Sequence, residues 1–362
     1  MVLLNNRDNN HPVKKFIQKV FLLSTLLATI LIGVNYFGDV ALLFHSDHIK
    51  MMSQILKSGK NVTNIANYNE RLFQKEVVKN FKTSPDILII GSSRTMLINS
   101  DCFKNKSIFN CSVSGASIED LVSIYQLYKS NHIIPKTILL GIDPWIFNKN
   151  NDLQRWQSLK SEYYNFLNEN KISEVIPVTV DIKYFQLLSP SYFQRCLKNI
   201  PAVIKDSRNP MSTSVKYNLT ETKLIDGSIT YPKDFREAPP AKVDQIAEDY
   251  VKGSVYSIEQ FDSLSPKSIL LFNLLIRDFK KHNVNIVFFL PPYHPIVYNV
   301  VERKYPMVIK TESYILKYAK MNSIKIYGSY NPRKVGLSGA DFYDGMHCKE
   351  KGIKIILNRN YD

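Results

Sequence analysis

The sequence has few cysteines and lacks the spacing of metal ligands. Its four cysteines are Cys102, Cys111, Cys196 and Cys348. Because none of them has a partner at metal-ligand spacing, we predict no metal site, and nothing in the chain indicates another cofactor. Cys102 and Cys111 are close enough to flank a turn. A disulfide between them and two unpaired buried thiols are equally compatible with the sequence.

Signatures of nucleic-acid binding are also missing. The chain carries 47 Lys and Arg residues against 32 Asp and Glu, a formal net charge of +15. That excess indicates an anionic surface or substrate. However, the sequence has no zinc-ligand spacing, no helix-turn-helix signature and no concentrated basic stripe. We therefore expect no nucleic-acid partner. Internal repeats and low-complexity tracts are absent as well.

Charge is absent from one long stretch near the N-terminus. Residues 20–38 include no charged side chain, and about 20 apolar residues are needed to span a bilayer. Cations precede the stretch and two acids follow it, namely Arg7, Lys14, Lys15 and Lys19, then Asp39 and Asp47. The positive-inside rule then places the N-terminus in the cytoplasm and the rest of the chain outside.

Two other interpretations of this apolar stretch are weaker. It is long for the core of a signal peptide, and no small-residue cleavage site follows closely. It is apolar all round, whereas the helix of a soluble core is apolar on one stripe. We therefore predict a cytoplasmic tail, a transmembrane helix, a polar helical stalk and one large domain, covering residues 1–15, 16–38, 39–82 and 83–362.

Within the large domain, strand-like and helix-like segments alternate. The strands are predicted at residues 86–90, 107–111, 137–142, 284–290 and 324–327, and the helices at 118–128, 269–279, 302–321 and 349–357. This alternation predicts an α/β fold with a five-stranded parallel sheet covered on both faces. Residues from about 145 to 265 break the pattern with prolines and charged runs. We interpret them as an insertion that forms a lid or a partner surface.

Chemically active residues follow the ends of these strands, where parallel sheets form their sites. Ser93 follows the first strand, and a serine at a strand tip exposes its hydroxyl beside backbone N–H groups. Asp344 stands three residues before His347, after the fifth strand. These three residues are the right types for a nucleophile, a base and an orienting acid.

Simpler roles remain open for each of these residues. Ser92 or Ser93 can cap a helix N-terminus, and Asp344 can cap the helix that follows it. His294 lies in Pro291-Pro292-Tyr293-His294-Pro295 after the fourth strand. It either lines the cleft or is a loop residue held between prolines.

Four short motifs resemble, in order, the sequence blocks of the SGNH/GDSL hydrolases. They are Gly91-Ser92-Ser93, Asn110-x-x-x-x-Gly115, Gly141-Ile142-Asp143-Pro144 and Asp344-Gly345-Met346-His347. The resemblance covers about residues 84–358 apart from the insertion. The chain resembles in particular the membrane-anchored proteins that modify bacterial envelope polysaccharides. Examples are the alginate O-acetylation proteins and the D-alanine transfer protein of lipoteichoic acid synthesis.

The resemblance implies a flavodoxin-like three-layer SGNH hydrolase fold and a role for each motif residue. Ser93 would be the nucleophile, His347 the base and Asp344 the residue that orients the base. Gly115 would give an N–H group to the oxyanion hole. The chain departs from the family at two places. Ser92 replaces the aspartate of the usual Gly-Asp-Ser.

At the second departure, Asp143 replaces an asparagine whose amide donates to the oxyanion. An ionised aspartate cannot donate. Either Arg94 compensates for the missing amide or Asp143 has a structural role.

The implied function is acyl transfer, in particular of an acetyl group, to an anionic or neutral envelope polysaccharide. The resemblance also implies an acyl donor supplied through a membrane-bound O-acyltransferase, and a single-pass protein of the inner (cytoplasmic) membrane. Its catalytic domain would be periplasmic or extracellular. With water as acceptor, the same site would make a carbohydrate esterase. A catalytically inactive glycan-binding or scaffold protein is the other alternative, and Asp143 favours it.

Overall fold

The computed structural model of the chain describes residues 11–40, 42–44, 47–65, 68–174, 183–204 and 209–358. These residues fall into two compact units. The smaller unit contains the N-terminal helix, the residues up to 48, residue 68, residues 183–204 and residue 209. The larger unit contains residues 49–65, 69–174 and 210–358. Residues 49–65 and 69–82, which we expected to form most of a stalk, therefore group with the larger unit.

The helices of the described residues match most of the predicted positions. They are α1 (His11–Gly38), α2 (Asp47–Lys57), α3 (Glu70–Val77), α4 (Ile118–Ser130), α5 (Lys160–Glu169), α6 (Lys183–Gln186), α7 (Pro190–Ile204), α8 (Lys233–Arg236), α9 (Pro240–Lys252), α10 (Pro266–Lys281), α11 (Pro295–Lys304), α12 (Pro306–Met321) and α13 (Glu350–Asn358). The helix predicted at 302–321 is divided, because Pro306 lacks an N–H group and begins a new helix.

The strands form two sheets. They are β1 (Asn61–Thr63), β2 (Ile87–Ile90), β3 (Ile108–Asn110), β4 (Thr137–Gly141), β5 (Met211–Thr213), β6 (Thr222–Lys223), β7 (Ile229–Thr230), β8 (Asn285–Leu290) and β9 (Lys325–Gly328). The larger sheet has the order β3-β2-β4-β8-β9, and all its strands are parallel. The α/β class and the five-stranded parallel sheet are thus confirmed.

The smaller sheet was not predicted. Its order is β5-β1-β6-β7, with antiparallel pairing. β1 comes from the segment expected to be a stalk, and the other three strands come from the expected insertion. Strands of two or three residues are too short to show a hydrophobic period, so the sequence gives no signal for them.

Helix α1 fits the prediction of an apolar N-terminal helix. Among the described residues, it is the one helix long and apolar enough to cross a membrane, with a mean hydropathy of 2.0. Only 6% of its most apolar window is buried. The core helix of a soluble protein is largely buried, and α1 differs from such a helix in this respect.

The cysteines are free thiols. Cys111 is fully buried, and its thiol donates to the carbonyl of Ile89 at 2.9 Å. Burial raises the pKa of the Cys111 thiol, and it also raises the pKa of Cys102, to about 11. Of the two alternatives for Cys102 and Cys111, the structure therefore has the unpaired thiols.

Candidate active site

The candidate site lies where the order of strands in the larger sheet reverses. From β2 the chain passes to β3 on one side, and it then returns to place β4 on the other side of β2. A crevice opens outside the carboxyl ends of parallel strands at such a reversal, and ligands bind there. Ser93 follows β2 and Asp143 follows β4, so both residues lie at this edge of the sheet.

A close approach of two glycines lets β2 and β4 end side by side. A Cβ atom at Gly91 would lie 3.2 Å from the Cα atom of Gly141, which is tighter than ordinary packing. After Gly91 the chain turns, with the Thr95 hydroxyl donating to the Ser92 carbonyl at 2.8 Å. No helix begins directly after β2, because residues 93–97 form turns. Ser93 is therefore not a helix cap, and its side chain is only half-buried.

Three side chains form a continuous hydrogen-bonded relay at the crevice. Ser93 Oγ lies 3.0 Å from His347 Nε2, and His347 Nδ1 lies 2.7 Å from Asp344 Oδ2. Asp344 and His347 are on the turn between β9 and α13. Both are partly exposed, at 19% and 16%. The relay has the geometry of a nucleophile, a general base and an orienting carboxylate.

Hydrogen bonds hold Asp344 in its charged form. Its Oδ1 accepts the N–H groups of Met346 and His347, both at 2.8 Å. Burial alone would raise the pKa of this carboxyl, but the charge and hydrogen bond of His347 and the two N–H groups outweigh burial and lower it. A charged Asp344 selects the tautomer with a proton on Nδ1, which leaves His347 Nε2 free to accept the Ser93 proton. Because α13 begins only at Glu350, Asp344 caps its own turn rather than that helix.

Arg94 connects the ends of three strands behind the relay. Its Nη1 lies 3.0 Å from Asp143 Oδ1, its Nη2 donates to the Pro291 carbonyl at 2.6 Å, and its Nε donates to the Met346 carbonyl at 3.1 Å. The guanidinium also lies 4.1 Å from the centre of the Tyr293 ring. Through Met346, Arg94 fixes the turn that carries His347.

The Arg94–Asp143 pair is buried and has a structural role. Arg94 and Asp143 are each 1% exposed. Burial raises the pKa of the Asp143 carboxyl, and the charge of Arg94 opposes that shift. Three of the five N–H donors of the Arg94 guanidinium bind protein oxygens. The Arg94 side chain is also fully buried, so it does not face an open crevice. The sequence left open whether Arg94 compensates for the missing amide, and the geometry favours the structural role of Asp143.

The backbone N–H groups of Ser93, after β2, and of Gly115, after β3, are candidate anion donors. Among the described residues, the N–H groups of Ser93 and Gly115 donate no hydrogen bond. Gly115 has a φ angle of +57°, and a Cβ atom there would collide with the Tyr256 hydroxyl. A glycine is needed at this position because it tolerates both the left-handed backbone and the close tyrosine.

Two side chains of α3, Glu70 and Arg71, hold the loop that contains Gly115. The sequence does not predict this role for either residue. Glu70 accepts the N–H group of Ser114, and it also accepts the Ser114 hydroxyl at 2.8 Å. Arg71 makes a bidentate pair with Asp120 at 2.7 and 2.8 Å and donates to the Ser114 carbonyl at 3.1 Å. Such forked pairs fix orientation as well as distance. A polar helix in an expected stalk gave no sign of this role.

His294 lies behind the relay. It is 1% exposed, and its Nδ1 accepts the N–H group of Ile296 at 3.3 Å, so it caps α11. Its backbone N–H donates to the Gly345 carbonyl at 3.0 Å. Burial lowers the pKa of His294, and Asp244, 3.3 Å away but outside hydrogen-bond geometry, opposes that shift. In the described part of the chain, no hydrogen bond joins His294 to Ser93 or His347.

Tyrosine side chains form an aromatic wall beside the relay, and two of them, Tyr231 and Tyr250, come from the expected insertion. The Tyr231 ring lies 5.9 Å from the His347 ring, edge to face, and 5.3 Å from the Tyr343 ring. Tyr250 on α9 packs against Gly345, where a Cβ atom would lie 2.9 Å from its ring. Isolated tyrosines in an irregular segment carry no periodic signal, so the sequence analysis did not find them.

Comparison with models of known protein families finds no match for this chain, and comparison with curated protein sequences finds none. A functional conclusion therefore depends on the geometry of the site. That geometry combines a relay, two free N–H groups and an aromatic wall at one edge of a parallel sheet.

Proposed function

We propose that the chain is a membrane-anchored enzyme of the SGNH hydrolase type. It would transfer an acyl group, specifically an acetyl group, to an envelope polysaccharide. The Ser93–His347–Asp344 relay at the strand reversal carries this proposal. The strand order also supports it: with the five parallel strands numbered along the chain, the order is 2-1-3-4-5, as in flavodoxin-like folds.

The first half-reaction forms an ester on Ser93. As Ser93 Oγ attacks the acyl carbonyl, its proton passes to His347 Nε2, and charged Asp344 stabilises the imidazolium. The negative charge on the carbonyl oxygen is met by the N–H groups of Ser93 and Gly115. The tetrahedral intermediate then collapses, and the leaving group departs with the proton from His347.

The second half-reaction regenerates the enzyme. A sugar hydroxyl attacks the acyl-Ser93 carbonyl and gives its proton to His347 Nε2. When this second intermediate collapses, the acyl group stays on the sugar, and Ser93 Oγ recovers the proton from His347. Water in place of the sugar would make the protein a carbohydrate esterase. The partly exposed Tyr231 ring beside His347 is suited to support the sugar, because sugar rings and aromatic faces both present apolar surface.

The cellular location of this reaction is inferred from α1, and the charge of its glycan substrate is inferred from the net charge of the chain. We propose that α1 spans the inner membrane with the N-terminus in the cytoplasm, because cations precede the apolar stretch and acids follow it. The larger unit then lies in the periplasm or outside the cell. A net charge of +15 favours an anionic glycan. A membrane-bound O-acyltransferase would supply the acyl donor from the membrane.

A second candidate function is a glycan-binding or scaffold protein without catalysis. The buried Arg94–Asp143 pair favours it, because the pair occupies the position where the family has an amide donor. The relay would then be a remnant of an active ancestor.

Covalent labelling distinguishes the two candidates. The full-length protein in detergent is treated with a fluorophosphonate probe, and the labelled residue is mapped by mass spectrometry. An active relay gives a label on Ser93 that is lost in Ser93→Ala. The matched control is Ser92→Ala, since the Ser92 side chain is buried and accepts the Arg94 N–H group at 3.1 Å. A Ser93 that stays unlabelled in the folded wild-type protein would leave the binding protein as the better candidate.

A further inference from the structure

The smaller unit fixes a second segment, α6 and α7, to the C-terminal end of α1. Asn35 Nδ2 donates to the carbonyls of Gln186, Leu187 and Ser189 at 3.0, 2.9 and 3.2 Å. Asn35 is fully buried by this contact. A buried amide that satisfies three carbonyls sets the position of the turn between α6 and α7 on α1.

Further contacts join α7 itself to the last residues of α1. The Tyr192 hydroxyl donates to Asp39 Oδ1 at 2.9 Å, and Asn199 Nδ2 donates to the Gly38 carbonyl at 2.8 Å. A Cβ atom at Gly38 would lie 3.0 Å from the Cα atom of Cys196. These polar partners lie between Asn35 of α1 and Asp39, the residue after α1, which is about 6 Å of helix rise. The polar contacts of α7 are therefore made at the end of the apolar stretch.

Helix α7 presents an apolar stripe beside the face that contacts α1. Tyr192, Cys196 and Asn199 face α1. Residues at positions i, i+4, i+7 and i+11 form the adjacent stripe: Phe193, Leu197, Ile200 and Ile204. Leu197 and Ile204 are 45% and 78% exposed. On the turn before α7, Leu188 is 57% exposed as well.

The other side of α7 is polar and cationic. Ser191, Gln194, Arg195 and Lys198 are exposed there. Helices that lie in the plane of a bilayer have this pattern, with Lys and Arg on the polar face and Leu or Phe on the apolar face. They bury the apolar face about 5–10 Å into the boundary between headgroups and acyl chains.

We propose that α7 lies in the outer interface of the bilayer that α1 spans. Its apolar stripe would contact acyl chains, and Arg195 and Lys198 would contact anionic phospholipid headgroups. The contact at Asn35 lies about 5 Å of helix rise from Gly38, where the apolar stretch ends, and this matches the depth of an interfacial helix. The inference rests on the proposed membrane anchoring by α1.

Photocrosslinking tests the position of α7. The full-length protein carries p-benzoylphenylalanine at Leu197 and is reconstituted in nanodiscs of phosphatidylcholine and phosphatidylglycerol. Irradiation should give phospholipid adducts at this position, detected by mass spectrometry. The matched control places the same group at Gln194, on the polar face of α7, where adducts should be lost. A third variant carries it at Leu27, in the middle of the apolar stretch of α1.

The three positions separate this inference from the proposed anchoring. Adducts at Leu27 and Leu197 but not at Gln194 support the interfacial helix. Adducts at Leu27 alone overturn the interfacial helix and leave the anchoring by α1 intact. A chain without adducts at Leu27 is not anchored by α1, and the inference then fails with the anchoring. Equal adducts at Leu197 and Gln194 would also overturn it, because they show no preferred face.

Discussion

Two carboxylates at the same edge of the sheet have opposite environments. Asp344 is 19% exposed, and although burial raises its pKa, the charge of His347 and three hydrogen-bond donors lower it below the usual value. Asp143 is 1% exposed, and burial raises its pKa although Arg94 lies 3.0 Å away. A partly exposed carboxylate with several donors remains charged and can support a changing charge on its histidine. A buried carboxylate with a fixed cation is suited to holding loops in place.

This difference separates the chemistry of the site from its support. The Asp344–His347 pair faces the crevice and touches Ser93. The Asp143–Arg94 pair is buried behind it, where Arg94 binds the carbonyls of Pro291 and Met346. If this division is correct, substitutions in the first pair should reduce activity with little effect on stability. Substitutions in the second pair should reduce stability first.

The largest expected effect is the loss of the nucleophile. In Ser93→Ala the acyl-enzyme cannot form, so acyl transfer should fall by about a millionfold, as expected when a nucleophile is removed from a triad. Stability should change little, because Ser93 is half-buried and makes few contacts. The measurement is the rate of acetyl transfer from an activated acetyl ester to the polysaccharide or to water. Ser92→Ala should retain most of that rate, and full activity in Ser93→Ala would reject the covalent mechanism.

The next largest effect is expected for Asp344, the partly exposed carboxylate, and it tests the role of this residue. Asp344→Asn keeps the shape of the side chain, but it favours the wrong tautomer of His347. The rate should therefore fall by about ten-thousandfold and yet remain measurable. The melting temperature should stay close to that of the wild type. A large drop in melting temperature would mean that Asp344 supports the fold as Asp143 does, and the comparison of the two carboxylates would fail.

Removing the buried cation should have its main effect on stability. Arg94→Met leaves Asp143 as an unpaired buried carboxylate, which costs about 3–5 kcal/mol of the free energy of unfolding. The double variant Arg94→Met/Asp143→Leu removes both charges and should recover most of that loss. Chemical denaturation of the full-length protein in detergent measures both values. A single variant as stable as the wild type would contradict the structural role of the pair.

Much of the main sheet could be predicted because each strand is an apolar run that ends at glycine, proline or a polar residue. The relay could be predicted because Asp344 and His347 are close in sequence and Ser93 follows a clear strand. Long-range support could not be predicted. Glu70 and Arg71 act on Ser114 and Asp120, more than 40 positions away, and no local pattern links them.

The parts of the site that the insertion builds could not be predicted from the sequence either. Its strands pair with β1, from a segment that resembled a stalk, and each pairing involves only two or three residues. Tyr231 reaches His347 from this irregular region. The residues that Tyr231 contacts depend on the whole tertiary structure, and hydrophobic periodicity does not encode that structure.

The smallest expected effect concerns His294, another ionisable residue at this edge. Burial lowers its pKa in the folded protein below the ordinary value of 6.5. As the pH falls below about 6.5, the unfolded chain takes up a proton at this histidine and the folded chain does not, so stability falls. The loss is at most about 1.4 kcal/mol per pH unit for one proton, and it ends once the pH drops below the lowered pKa.

This loss of stability is measured by denaturing the wild type and His294→Asn at pH 7.5 and at pH 5.5. The substitution keeps a capping side chain for α11, and the wild type should lose more stability than the variant between the two pH values. An equal loss in both proteins would show that His294 titrates alike in the folded and unfolded states, and that its burial behind the relay carries no energetic consequence.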